Sequence, residues 1–397
     1  MNRFLNYLIL TEQAFLRDFL GNGARQSGKS TLVQAAFPDY LYVNPKEPAV
    51  RVRTLADPTG FVATLPERSI IDEAQYVPEL FSAIQAKADR RNLPGQFVLS
   101  GSQNFLLLRS IKQSLAGRVG IAYLMPLSYP EIRSSNPAVS LPELMVRGLT
   151  PPFTPRMSLQ DSSTRTTSIP MSHATSWVIL TCATSAISAA SSLPAQRAGN
   201  LVNYADLARD IGVSVPTVRS WFSILESSFV VNTLAPYSAN IAKRLTKTSK
   251  LYFCDTGLLC HLLGIGDALA LSRNPLLGPI FESFVLSEQR KRYHTTRIRP
   301  NLMFYRDDSK IEVGLVDATD TSRSLLCEIK PGQTYRSSFT RNLRTVGRMP
   351  GLENATLNVV YGGEGAFVDE GVSVFGIREW HTRGYLPIPQ LHAGGWH

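Results

Sequence analysis

No run of eighteen apolar residues occurs anywhere in the sequence, so no segment is long enough to cross a bilayer as a helix. The first residues, MNRFLNYLILTEQAFLRDF, carry a short apolar patch but no small-residue cleavage site, which reads against a signal peptide. Cysteine is scarce: Cys182, Cys254, Cys260 and Cys327 stand without CxxC spacing. That excludes a disulfide frame or a zinc site and fits reduced thiols in a cytoplasmic protein. An NKxD pattern is missing too, which removes the guanine-specifying element a GTPase needs. Charge itself is nearly missing from residues 154–193, where Arg156, Asp161 and Arg165 are the only charged residues and seventeen of forty are Ser or Thr.

What remains is an ordinary globular composition, 44% hydrophobic and 18% charged over 397 residues, long enough for two or three domains. The formal net charge of +10 favours contact with polyanions, either nucleic acid or nucleotide phosphates. Between residues 21 and 132, short β-rich runs at LYV (41–43), SIIDEA (69–74) and QFVLSGS (96–102) alternate with helical patterns. One of these, Pro78–Arg91, places Leu80, Phe81, Ile84 and Ala88 on one face. Strands alternating with helices predict an α/β domain on a largely parallel sheet.

Gly23, Ala24, Arg25, Gln26, Ser27, Gly28, Lys29 and Ser30, followed by Thr31, fit G-x-x-x-x-G-K-[ST]. Glycines let backbone N–H groups wrap phosphate oxygens without a Cβ in the way. Lys29 reaches the β- and γ-phosphates of ATP in this reading, and the Ser30 hydroxyl ligates Mg²⁺. The helix that follows turns its positive end toward the same anion. Downstream, the apolar run Ser69-Ile70-Ile71 ends in Asp72 and Glu73. Asp72 is the candidate for the metal and Glu73 for polarising the attacking water. Ser102, at the end of the next strand, is a candidate γ-phosphate sensor. Arg118 is a candidate for stabilising transition-state charge, in cis or from a neighbouring subunit. One local feature conflicts with the pattern. The strand before the glycine turn reads Phe15-Leu16-Arg17-Asp18-Phe19-Leu20-Gly21-Asn22, and charges in a central parallel strand are costly. A short or distorted first strand is expected.

Further on, NYADLARDIGVSVPTVRSWFSILESSFVV predicts a helix near 204–211, a turn through Gly212, and a second helix capped by Ser214 with Pro216 in its first turn. Val218, Trp221, Phe222 and Leu225 give that helix one apolar face. This is a helix-turn-helix pattern. Thr217, Arg219 and Ser220 are the candidate readers of DNA, and Lys243, Arg244, Lys247 and Lys250 a basic stretch able to track phosphates. Between 275 and 380, a helix (FESFVLSEQRKRY) alternates with strands at LMFYR, IEVGLV, SLLCEIK and LNVVYG.

Taken together, GARQSGKST, IIDEAQYVPEL, LSGSQNFLL, SLAGRVGIAYLMPLSYPEI, the helix-turn-helix stretch, APYSANIAKRLTKTSKLYFCDTGLLCHLLGI, FESFVLSE and CEIKPG give the chain its likeness. It resembles a prokaryotic family of AAA+-type ATPases that join an N-terminal ATPase to a C-terminal domain of unknown function. The resemblance implies a parallel-sheet AAA-like domain (1–135), a connecting region (136–200), a winged helix-turn-helix module (201–272) and an α+β restriction-endonuclease-like domain (273–397). Members are helical where residues 149–196 are Ser/Thr-rich and aperiodic here. A compensated pair of frameshifts in the gene or its sequencing would leave such foreign text between two correct flanks. In the nuclease-like region the resemblance assigns Glu282, Glu328 and Lys330 to the vestige of a magnesium site. Gly314, in Ile311-Glu312-Val313-Gly314-Leu315, stands where such folds carry a metal-binding Asp. A glycine supplies neither the charge nor the geometry, so nuclease activity is not expected. The function expected is ATP binding with Mg²⁺-dependent hydrolysis that drives a conformational change. The alternative is a nucleotide-switched DNA- or protein-binding module with little turnover. The partners expected are ATP, with DNA, a second copy or another protein as candidates, and no membrane.

Overall fold

The computed structural model describes residues 18–23, 28–91, 95–101, 119–149, 192–237, 248–294 and 298–383. These form two compact units. One gathers the described residues up to Leu127 together with Ser220–Val230, and the other gathers the remainder.

The first unit is built on five strands: β1 (Asp18–Gly23), β2 (Leu41–Val43), β3 (Ser69–Ile71), β4 (Phe97–Gly101) and β5 (Val119–Leu124). They lie in the order β2-β3-β4-β1-β5, and every neighbouring pair is parallel. The parallel sheet expected from the alternating pattern is therefore present. β1 is neither absent nor broken. It runs six residues, and Asp18 pairs only with Val119 of β5, while pairing to β4 begins at Phe19. The strand thus opens at its charged residue, and Arg17 precedes the described residues.

Side-chain alternation along these strands sorts the core into two layers. Ile70 and Val98 pack on one face with Val33 of helix α1 (Lys29–Ala36), joined by Leu32, Ala36, Phe37, Tyr40 and Tyr42. Ile71, Phe97 and Leu99 pack on the other with Leu80, Phe81 and Ile84 of helix α2 (Leu80–Arg91) and with Phe61 and Val62. All four apolar positions expected on α2 are buried. Each such side chain contributes roughly 1.5–3 kcal/mol of transfer free energy.

The second unit opens with helix α3 (Tyr129–Ser135) and includes helix α4 (Tyr204–Ile211); helix α5 (Val215–Ser227) begins in it and belongs to the first unit from Ser220 on, both helices at the expected positions. Asn203 caps α4 by accepting from the Ala205 and Asp206 N–H groups, and Gly212 closes it at φ 80. Ser214 accepts from the Thr217 N–H at 3.3 Å, as a cap should. On α5, Val218 and Phe222 are buried, whereas Trp221 and Leu225 are half-buried. Strands β6 (Val231–Pro236) and β7 (Lys250–Phe253) follow as an antiparallel pair. They do not stand apart: β6 also pairs with β8 (Leu302–Arg306). With β9 (Glu312–Asp317), β10 (Leu325–Lys330), β11 (Thr356–Tyr361), β12 (Ala366–Asp369) and β13 (Val372–Gly376) they form one mixed sheet, β12-β13-β11-β10-β9-β8-β6-β7. A short helix, Ser192–Gln196, lies inside the 149–196 stretch; residues 150–191 fall outside the described residues.

Helix α6 (Leu277–His294) is buried around most of its circumference, so its polar side chains must find partners inside the protein. The Ser287 hydroxyl donates to the Cys254 carbonyl at 2.7 Å. Gln289 and the Tyr293 hydroxyl both donate to the Asp317 carboxylate, at 2.6 and 2.7 Å. Glu288, fully buried, pairs with Lys291 at 2.7 Å and accepts the Tyr129 N–H of α3 at 2.9 Å. His381, on helix α7 (Ile377–Arg383), approaches it at 3.5 Å and stacks on the Tyr129 ring. Burial acts to raise the Glu288 pKa, but Lys291, His381 and the two hydrogen bonds prevail, and it lies below the ordinary carboxylate value. A carboxylate lowered in the folded state contributes stability above its unfolded pKa and loses it as pH falls through the folded value. Glu288→Gln is expected to cost about 3–5 kcal/mol, because it takes the counter-charge from a buried ammonium. Urea unfolding at neutral pH measures this, and the gap between variant and wild type should shrink on acidification below about pH 4.

Candidate nucleotide-binding site

In a parallel sheet the carboxyl ends of the strands, at the point where strand order reverses, form the natural ligand crevice. β1 ends at Gly23 and lies between β4 and β5, and the glycine turn leaves from that end. Residues 24–27, which include Ala24, Arg25, Gln26 and Ser27, lie outside the described residues, as do Ser102 and Arg118. Gly28 precedes α1 at φ 84, ψ 20, a left-handed conformation that a Cβ would strain, and it offers no side-chain cap. Among the described residues no side chain caps α1, and its first N–H groups carry the helix's positive end. Lys29 is 8% exposed, Ser30 is half-buried and Thr31 is exposed.

The alternation that builds the core also places the acidic end of β3. Ile70 faces α1 and Ile71 faces away, so Asp72, one residue further, returns to the α1 side. The same count carries Ser100, two residues after Val98 of β4, to that side. Asp72 is 2% exposed, and a buried carboxylate needs donors. It has three: the Tyr42 hydroxyl donates to Oδ2 at 2.6 Å, and the Ser100 hydroxyl and the Glu73 N–H (3.0 Å) donate to Oδ1. Its own N–H continues the β2 ladder to the Val43 carbonyl at 2.9 Å. Burial first, then the Asp72 hydrogen bond and charge, push the Tyr42 pKa to about 12. One phenol of β2 thus holds the carboxylate that follows β3.

Glu73 is half-buried and sits at φ 54, ψ 39. A non-glycine residue there costs of order 1–3 kcal/mol and persists only when its surroundings hold it. Its carboxylate accepts from the Gln75 amide, and the Gln75 Oε1 is buried without a partner among the described residues. Tyr42, Ser100 and Gln75 are thus site residues that the motif reading missed. Ser100 was visible in principle from strand alternation. Tyr42 was not, because it belongs to another strand.

The donor set suits the groups expected here. A lysine ammonium and uncapped helix amides are chemistry for a polyphosphate. A serine hydroxyl with a buried carboxylate is hard-oxygen chemistry for Mg²⁺.

The second constellation, in the other unit, is also drawn together, but differently. Tyr252 donates to Glu282 at 3.0 Å, and Lys330 pairs with Glu328 at 2.6 Å. Lys250, expected on a phosphate-tracking basic stretch, is instead 4% exposed and ion-paired with Glu312. The sheet takes it inside, because every residue of β7 is buried. Lys243, Arg244 and Lys247 lie outside the described residues. Arg219, a candidate DNA reader, lies over the Tyr204 ring at 4.6 Å, and the Thr217 hydroxyl is bonded to Ser214. Burial raises both Glu282 and Glu328 above the ordinary carboxylate value, with Lys250 and Lys330 acting against it. No group of three acidic, histidine or cysteine residues among the described residues converges as a metal site would. Gly314 is not forced by packing, since an added Cβ would meet only the Cys327 carbonyl, at 3.9 Å.

A carboxylate whose folded pKa is raised binds its proton more tightly when folded. Protonation therefore stabilises below the unfolded pKa, and that contribution is lost as pH rises through the folded value. Glu282→Gln is accordingly expected to melt above wild type at pH 7, with the difference closing toward pH 4, as calorimetry across that range would read.

Three family models match the chain: an AAA domain over residues 20–133, a domain of unknown function (DUF8612) over 184–269, and another (DUF4143) over 277–380. The second match begins inside the Ser/Thr-rich stretch. Uncharacterized proteins of Mycobacterium tuberculosis and Mycobacterium bovis are each 35% identical over 354 residues, covering 87% of this chain and 76% of the relative. Among solved structures, the Walker-type ATPase of Pyrococcus abyssi aligns at 15% identity with a TM-score of 0.38, covering 66% of this chain and 95% of that one. Among the described residues no helix is long and apolar enough to cross a membrane.

Proposed function

Because this chain belongs to the family of P-loop AAA-domain ATPases that carry the C-terminal domain DUF4143, we propose that it binds ATP at the Gly23–Thr31 turn and hydrolyses it with Glu73 as the water-polarising base. The observation that carries this reading is the network of Tyr42, Asp72 and Ser100 at the carboxyl ends of β2, β3 and β4, beside the amino end of α1.

Lys29 and the first amides of α1 neutralise and orient the triphosphate. Ser30 and Asp72 would hold Mg²⁺, which when bound offsets the charge that develops on the phosphoryl oxygens. Glu73, fixed through its Gln75 hydrogen bond, accepts a proton from the attacking water. Ser102 and Arg118 serve in this reading as sensor and charge-stabilising residues at the γ-phosphate. Helices α4 and α5 with the β6–β7 pair make the winged-helix module, and in the second unit Glu282, Glu328 and Lys330 make a nuclease-like remnant. That module is the part on which a nucleotide-driven change would act. With Lys250 buried against Glu312 and Arg219 stacked on Tyr204, fewer of its cations are available to DNA than the sequence offers. Turnover therefore stands ahead of a DNA-binding switch.

Steady-state phosphate release, with and without duplex DNA, tests the proposal. Glu73→Gln should lower kcat by at least about a hundredfold, the scale of one general base, while ATP affinity persists. Lys29→Ala should abolish ATP binding. Turnover unchanged in Glu73→Gln would remove the hydrolase reading.

A further inference from the structure

Asp72 has its two oxygens engaged unequally. Oδ1 takes the Ser100 hydroxyl and the Glu73 N–H, both from the carboxyl ends of the central strands. Oδ2 takes the Tyr42 hydroxyl, and at 2.6 Å that bond belongs to the short O–H···O⁻ class. Tyr42 is half-buried, and its ring is partly packed beside Ile70, Val98 and Val33. A phenol is thus bound to the carboxylate that the functional reading assigns to the cation, and nothing in the G-x-x-x-x-G-K-[ST] pattern or the acidic strand end calls for it.

We propose that Tyr42 competes with magnesium for Asp72, so that this tyrosine sets the magnesium concentration the nucleotide site requires. The inference rests on the nucleotide-binding reading above. The competition follows from valence. A carboxylate oxygen that accepts a strong O–H donor is less available to a cation or to the water shell it carries. Magnesium-free nucleotide binding, which depends on Lys29 and the α1 amides, is untouched by Tyr42.

The test is magnesium-dependent binding of a fluorescent, slowly hydrolysed ATP analogue to the full chain, comparing wild type with Tyr42→Phe, each checked for folding by thermal melt. Tyr42→Phe should reach half-maximal enhancement at roughly tenfold lower magnesium, the equivalent of one hydrogen bond to a charged group, with unchanged affinity in chelator. An equal or higher magnesium requirement in a folded Tyr42→Phe would overturn the inference while leaving the nucleotide site standing. Wild-type protein that binds no analogue at any magnesium concentration would overturn both. A second measurement needs no variant. Adding magnesium to the nucleotide-loaded wild type should shift a tyrosine near-UV band to shorter wavelength as the phenol stops donating to a carboxylate, and no shift would count against the proposal.

Discussion

A carboxylate held at 2% exposure on the end of a parallel strand constrains everything around it in the first unit. It cannot stay ionised in that position without several donors or a cation. The chain supplies donors from three directions: Tyr42 from β2, Ser100 from β4, and the Glu73 amide from the turn that Asp72 itself begins. Each is brought there by strand alternation and parallel register, the same regularities that bury Ile70 and Val98 against α1. Core and site are thus one pattern read at adjacent positions, apolar inside the sheet and polar one step past its edge.

The second unit treats its buried acids in two opposite ways. Glu288 is surrounded by Lys291, His381 and a backbone N–H and stays below the ordinary carboxylate pKa, as a structural ion pair does. Glu282 and Glu328 are pushed upward by burial, against the pull of Lys250 and Lys330. Lys250, drawn in from β7 to pair with Glu312, places an ammonium in that neighbourhood.

Much of the first unit was legible in the amino-acid text. LYV became β2 without adjustment, SII and FVLSG became β3 and β4, and the apolar spacing on α2 matched its buried face. Gly28 and Gly212 were readable because only a residue without Cβ accepts their positive φ at low cost. Other features were not legible, for physical reasons. β5 follows SLAGR as VGIAYL, whose glycine and alanine weaken any strand pattern, and β1 alone on one side specifies it. Tyr42 is one residue of a three-residue strand, and its role depends on a partner thirty positions away. Lys250 sits among basic neighbours in sequence, but β-pairing with β6 buries the strand that carries it. The helix pair was clear from capping residues alone, whereas the joining of β6 to β8 that merges it with the C-terminal sheet is a long-range contact with no local signature.

The account's central claim is that a triphosphate sits on the amino end of α1 with its cation held by Ser30 and Asp72. A crystal structure of the full chain grown with Mg²⁺ and a non-hydrolysable ATP analogue tests this most directly. Phosphate oxygens should contact the Lys29 ammonium and the α1 amides, with the metal within reach of the Ser30 hydroxyl and the Asp72 carboxylate. Nucleotide bound elsewhere, or phosphates that make no contact with Lys29 in a well-ordered site, would contradict it.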